Sequence, residues 1–126
     1  MSGLATVIGI GVAGALGAAA RYLTVEVVAR WWRHPFPLAI FLINVGGAFA
    51  LGLITGAFAG PAQLDTRLLI GTGFLGGYTT FSTLSFDTFN HARRGATLHA
   101  WLNAGASLLA GLLAALLGLA LGLKLG

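Results

Sequence analysis

The run Gly76-Gly77-Tyr78-Thr79-Thr80-Phe81-Ser82-Thr83-Leu84-Ser85-Phe86 sets two helix-weakening glycines beside a cluster of hydroxyls and phenylalanines. It sits inside a long apolar segment, and that contrast decides how the chain is read. In hydrocarbon, an interrupted helix must have its freed backbone groups satisfied by protein, water or an ion. Gly76-Gly77 is the weakest helical point of the segment. Thr79 or Thr80 is suited to cap a second half-helix over Phe81 to Arg94. Two readings stay open: a tolerated kink, or an ion site. In the second, carbonyls ending the first half attract a cation, while N–H groups and hydroxyls opening the next attract an anion. Phe81, Ser82 and Thr83 then lie on the following turn.

Working outward, the 126 residues are 57% hydrophobic and only 8% charged. A soluble domain carries roughly a quarter charged residues, so too few charges exist here to cover a water-facing surface. No cysteine is present, which excludes disulfides, thiol catalysis and cysteine-ligated metals. The net charge of +4 comes from Arg21, Arg30, Arg33, Arg67, Arg93, Arg94 and Lys124 against three carboxylates. These basic residues are scattered near the ends of apolar runs. They form no stripe that would track nucleic acid, and such flanking is what a bilayer interface selects.

Four apolar segments follow one another, at about residues 4–29, 36–59, 67–89 and 98–123. Each reaches the ~20 residues of a spanning helix. The breaks carry turn chemistry: ARWWRHPFP, GPAQLDTR and NHARRGAT. The sequence therefore predicts one all-α integral membrane domain over 1–126, with four transmembrane helices and antiparallel neighbours. No extramembrane domain is expected. The opening MSGLATVIGIGVAGALGAAA lacks a basic n-region and is too long for a signal h-region, so it reads as the first span. Trp31, Trp32 and Trp101 lie near segment ends, where the headgroup layer favours them. The arginine bias between the two sides is about two charges, too small to fix orientation.

Small residues recur every fourth position, the spacing of one helix face. Gly9, Ala13, Gly17 and Arg21 form one such row, and Asn44, Ala48, Gly52, Gly56 and Gly60 another. On the last segment, His99, Asn103, Ser107 and Gly111 make a polar row beside one of alanines and glycines. Most of these residues serve helix packing. Arg21 and Asn44 continue small-residue ridges, so they face protein rather than lipid. Arg21 either snorkels to the interface or shapes an anion's path. Asn44 is either interhelical glue or a donor to a dehydrated ion. Glu26 and Arg30 share a helix face and read as an ion pair. Asp87 caps, pairs with an arginine or lines a vestibule. His34 and His91 read as solvated loop residues, and His99 as a mouth residue without a second ligand at metal spacing.

No catalytic constellation appears. The carboxylates are not paired within the spans, the serines lack a neighbouring base, and GTGFLGG has no following lysine to make a phosphate loop. An enzyme is not expected.

GALGAAARY, INVGGAFALG and GTGFLGGYTTFSTLSF together resemble the bacterial fluoride channels, the Fluc or CrcB-type family, over essentially the whole chain. The GGxTTFST core is the most specific part. The resemblance implies a four-helix subunit, its third helix broken near the midplane, in an antiparallel dual-topology homodimer of the bacterial inner membrane. It implies two fluoride pores at the interface and a central structural sodium ion (Na+) held by the carbonyls of Gly76 and Thr79. Asn44, Phe81, Ser82, Thr83 and Ser107 would line or support the pore, with Arg21 in a supporting or vestibule role. Leu84 stands where the family usually has a second phenylalanine, and Ile40 where it often has threonine. The implied activity is passive export of fluoride, relieving its toxicity, without ATP. Amide N–H groups, hydroxyls and phenyl ring edges would replace fluoride's hydration shell. Two rival classes are a small multidrug-type transporter, for which Glu26 is the only candidate carboxylate, and a purely structural membrane subunit.

Overall fold

The computed structural model describes residues 1–126 and is entirely helical. Its elements are α1 (Gly3–Ala29), α2 (Leu38–Ala57), a 3-10 turn (Pro61–Gln63), α3 (Leu64–Arg67), a π-helical segment (Leu68–Leu75), α4 (Gly76–Tyr78), α5 (Phe81–Arg93) and α6 (Thr97–Leu125). Helices α1, α2 and α6 are long and apolar enough to cross a membrane. Residues 64–93 form a further helical stretch, interrupted at Thr79 and Thr80.

α1 starts at Ser2, whose hydroxyl accepts from the Ala5 N–H, and its last turn gives way to the proline-containing loop before α2. The left-handed Gly95 (φ 82°) makes the tight turn between α5 and α6. A residue with a Cβ would be strained at that position.

The interruption lets the third pass change partners. Its first half lies against α1, and α5 then moves across to α6, while α2 and α6 pack along their length. Missing side chains make these approaches close. A Cβ on Gly52 would run into the Ala115 carbonyl, and one on Gly118 into the Phe49 carbonyl, so α2 and α6 meet backbone to backbone. A Cβ on Gly17 would strike the Phe74 carbonyl, and one on Gly77 the Gly14 carbonyl. Tyr78 adds a tether there. Thr24 gives its proton to the Ala20 carbonyl (2.9 Å), so the Tyr78 hydroxyl is the donor in their 3.0 Å contact.

Two features depart from the sequence reading. Gly76 and Gly77 remain helical, and the break falls two residues later, at Thr79 (φ −80°, ψ 160°) and Thr80 (φ −150°, ψ 125°). The role of Gly77 there is close contact with α1. The residues just before are π-helical, a form that tends to occur at functional sites. The Gly76 N–H reaches back to the Gly71 carbonyl across the widened turn.

Only 15 of 126 residues are buried, and large apolar side chains are exposed all along α1 and α6. A lone chain in water would not tolerate so much apolar surface. Lipid or further protein must cover it.

Candidate functional site

The helix break leaves backbone groups to be satisfied, and two polar side chains from other helices reach it. Asn44, midway along α2, donates from Nδ2 to the Thr80 carbonyl and accepts the Thr80 N–H at Oδ1, both at 2.9 Å. A backbone N–H can only donate, so this pairing fixes which end of the amide faces which group. Arg21 on α1 donates from Nη1 to the Thr79 carbonyl at 3.2 Å. Thr80 is only 8% exposed, and its hydroxyl accepts the Thr83 N–H at 3.2 Å, the N-cap of α5. The hydroxyls of Ser82 and Thr83 each lie 3.2 Å from the Thr80 hydroxyl.

The carbonyls at the end of the first half-helix are not all satisfied within it. The Leu75 carbonyl accepts from Thr79, through both N–H and hydroxyl, at 3.0 Å each. The Gly76 carbonyl has no donor, because the Thr80 N–H that would continue the helix goes to Asn44. Gly76, Thr79, Thr80 and Asn44 line a cavity of about 330 Å³ on the side of the break away from α1.

A second, larger groove of about 730 Å³ runs between α5 and α6. Asn44, Phe81, Leu84 and Ser107 all contribute to it, together with Ser85 and Thr88. Ser107 is 6% exposed, and its hydroxyl has no partner in the protein. Behind it, Asn103 is fully buried. Its Nδ2 donates to the Thr88 hydroxyl at 2.9 Å and lies 3.5 Å from the Leu84 carbonyl, leaving Oδ1 without a partner. Phe81 is 79% exposed, so its ring is an open wall of the groove in a single chain.

Of the residues expected from sequence, Asn44, Phe81, Leu84 and Ser107 thus come together. Ser82 and Thr83 do not join that groove. Ser82 bonds to Thr80, and Thr83 faces a cavity of about 710 Å³ on the α1 side, shared with Arg21, Glu26 and Asp87. The reason is helical geometry: residues one and two beyond Phe81 point away from it, whereas those three, four and seven beyond share its face. Ser85, Thr88 and Phe89 are groove residues that sequence reading missed, and their spacing of four, seven and eight from Phe81 was the signal available. Arg21 lies between both readings given for it, reaching from the α1-side cavity to the break. Glu26 and Arg30 form no ion pair. Glu26 is exposed, which leaves no buried carboxylate on α1 for an organic cation.

Long apolar helices, an interrupted pass and a polar groove define a multi-pass helical membrane protein of the ion-handling kind. Residues 8–119 match the family model described as "CrcB-like protein, Camphor Resistance (CrcB)", and the chain belongs to that family. It is similar to the "Fluoride-specific ion channel FluC" of Hydrogenovibrio crunogenus, 40% identical over 104 residues, covering 81% of this chain and 79% of that one. It is also similar to "Fluoride-specific ion channel FluC 1" of Bacillus anthracis, 42% identical over 105 residues (79% and 74% of the two chains). "Fluoride-specific ion channel FluC 2" of Nitrobacter hamburgensis is 48% identical over 86 residues (67% and 69%). The family is one of ion channels, not enzymes.

Proposed function

We propose that this protein is a passive, fluoride-selective channel that lets fluoride leave the cytoplasm down its gradient. The observation that carries the reading is the groove beside the Thr79–Thr80 break, where polar donors and the rings of Phe81 and Phe89 share an otherwise apolar wall. The relatives' names supply the ion.

Fluoride is small and strongly hydrated, so a dry path must offer replacement donors. Ser107 has a hydroxyl with no protein partner. Asn44 commits one N–H to Thr80, and no second protein acceptor takes the other. Ser85 and Thr88 add hydroxyls along the wall, and the edge of the Phe81 ring carries partial positive charge. Several such weak sites in sequence favour passage, whereas one deep site would hold the ion. Leu84 adds no ring edge, so in this chain Phe81 alone supplies the aromatic contact from that turn of α5.

In this proposal the subunit works as an antiparallel homodimer in the cytoplasmic membrane, with a pore at each side of the interface. Support comes from the exposed Phe81 and from cavities that stand open in one chain. Each would be walled by a second copy. The near balance of basic residues between the two sides suits a chain inserted both ways. A structural sodium ion fits the same plan. The Gly76 carbonyl lacks a donor, and the Thr79 carbonyl has a lone pair left beside its bond to Arg21. Because Arg21 already brings positive charge to Thr79, Gly76 is the freer of the two ligands. Bound there, sodium would supply positive potential and tie the broken ends of two subunits together.

The test is efflux from liposomes holding the purified protein, followed with a fluoride-selective electrode. Rapid fluoride release under a permissive potential, with negligible chloride release, is expected. Fluoride retention, or proton-driven uptake of a quaternary ammonium instead, would overturn the reading.

A further inference from the structure

Asn103 on α6 is fully buried, and it stands behind the groove wall rather than in it. Its Nδ2 carries two hydrogens and has two acceptors nearby. The Thr88 hydroxyl lies at 2.9 Å and the Leu84 carbonyl at 3.5 Å, both on α5. A carbonyl can only accept, so the amide nitrogen is the end that faces α5. Turning the amide over would set Oδ1 against the Leu84 oxygen. Thr88 is therefore the acceptor in its contact with Asn103.

That leaves the Thr88 proton to be placed. A helical threonine often gives its proton to the carbonyl four residues back. Thr6, Thr24 and Thr55 do so here, at 3.1, 2.9 and 2.7 Å. Thr88 makes no such bond, and Asn103 approaches the Leu84 carbonyl in its stead. Thr88 lines the groove between α5 and α6, so the open direction for its proton is the groove itself.

We infer that Asn103 is a positioning residue for the ion path: it occupies the acceptor side of the Thr88 hydroxyl and so turns that hydroxyl's proton into the groove, as a donor to the permeating anion. The inference rests on the groove carrying fluoride. Asn103 does not touch the ion. The device suits an anion, because a cation would need the lone pair that Asn103 takes. The two bonds also reinforce each other: an oxygen whose proton is given to an anion becomes a stronger acceptor. Stability alone does not account for the amide. Oδ1 of Asn103 is buried without a partner, which costs free energy that a leucine of similar volume would avoid.

The experiment is a double-substitution cycle on initial fluoride efflux from liposomes, with circular dichroism to confirm that each variant folds. Thr88→Val removes the hydroxyl at constant shape. In Asn103→Leu the Thr88 proton falls back on the Leu84 carbonyl. Each alone should slow efflux about tenfold, the scale of one lost hydrogen bond to an ion. The pair together should be no slower than either, because Asn103 acts only through Thr88. Independently of any substitution, nuclear magnetic resonance of the wild type with isotope-labelled asparagine should show the Asn103 side-chain amide proton moving downfield as sodium fluoride is added, and staying in place with sodium chloride. Undiminished efflux in folded Thr88→Val or Asn103→Leu, losses that multiply to about a hundredfold in the pair, or an Asn103 amide signal that fluoride leaves in place would each overturn the inference while the channel reading stands. Absence of fluoride efflux from the wild type would remove that reading and the inference with it.

Discussion

Asn44→Ala is the substitution that most sharply probes the helix break. In the wild type one side chain satisfies both the N–H and the C=O of Thr80, at 2.9 Å each. Alanine leaves both groups without a partner next to the apolar face of α2. An orphaned buried polar group costs about 1–3 kcal/mol, so two would cost roughly 2–6 kcal/mol if the site stayed dry. Thr80 is 8% exposed, and the adjoining cavity of about 330 Å³ has room for water. Water in the vacated space brings the expected loss to the lower end, about 2–3 kcal/mol. Asn44→Asp separates the two bonds. It keeps an acceptor for the Thr80 N–H but sets a carboxylate oxygen against the Thr80 carbonyl, so it should be at least as damaging. The assay is chemical or thermal unfolding in detergent, alongside hydrogen exchange at the Thr80 amide. Wild-type stability and a still-protected Thr80 amide in Asn44→Ala would refute the claim that Asn44 holds the break.

Phe81→Ile should cut fluoride efflux sharply while leaving the subunit's own fold intact, because the ring is 79% exposed within its own chain; electrode-monitored efflux and far-ultraviolet circular dichroism together check this. Gly77→Ala drives a methyl into the Gly14 backbone and should cost about 3 kcal/mol, at the upper end of overpacking because backbone cannot swing away. Gly11→Ala, with open space around it, should gain about 0.5–1 kcal/mol, and parallel unfolding curves distinguish the pair. Ser107→Ala removes a buried hydroxyl that has no protein partner, so stability should hold or rise by about 1 kcal/mol while efflux falls. Unaltered efflux would take Ser107 out of the proposed path.

Much of the architecture was legible in the residues because lipid imposes simple rules. Apolar runs of sufficient length gave the helices, and the hydroxyl cluster after Tyr78 marked an interruption with Thr80 among the candidate caps. The position of the break was less legible. Gly76 and Gly77 look like breakers, yet both are helical, and Gly77's missing side chain is needed against Gly14 of α1. Intrinsic propensity lost to packing with a neighbour that the sequence does not place. The π-helical turn over residues 68–75 has no periodic signature for the same reason.

The site divides in the same way. Asn44 was recognisable as a polar residue forced to face protein, but its partner, the Thr80 backbone, lies 36 residues away. Ser82 and Thr83 drew attention through adjacency to Phe81 in sequence, whereas helical rotation brings Ser85 and Thr88 beside the ring instead. The Glu26–Arg30 pair had suitable i, i+4 spacing and still does not form, as is common for exposed charges that water solvates as well. His34, His91 and His99 become neighbours only through the loop geometry at one end of the bundle.

The central claim is that polar donors beside the Thr79–Thr80 break replace water around fluoride and around no larger halide. The most direct measurement is the reversal potential of the purified protein in a planar bilayer, with fluoride on one side and chloride on the other. The account predicts a current whose reversal follows the fluoride gradient and is indifferent to chloride. A reversal potential that moves with chloride, or the absence of any fluoride current from correctly folded protein, would contradict it.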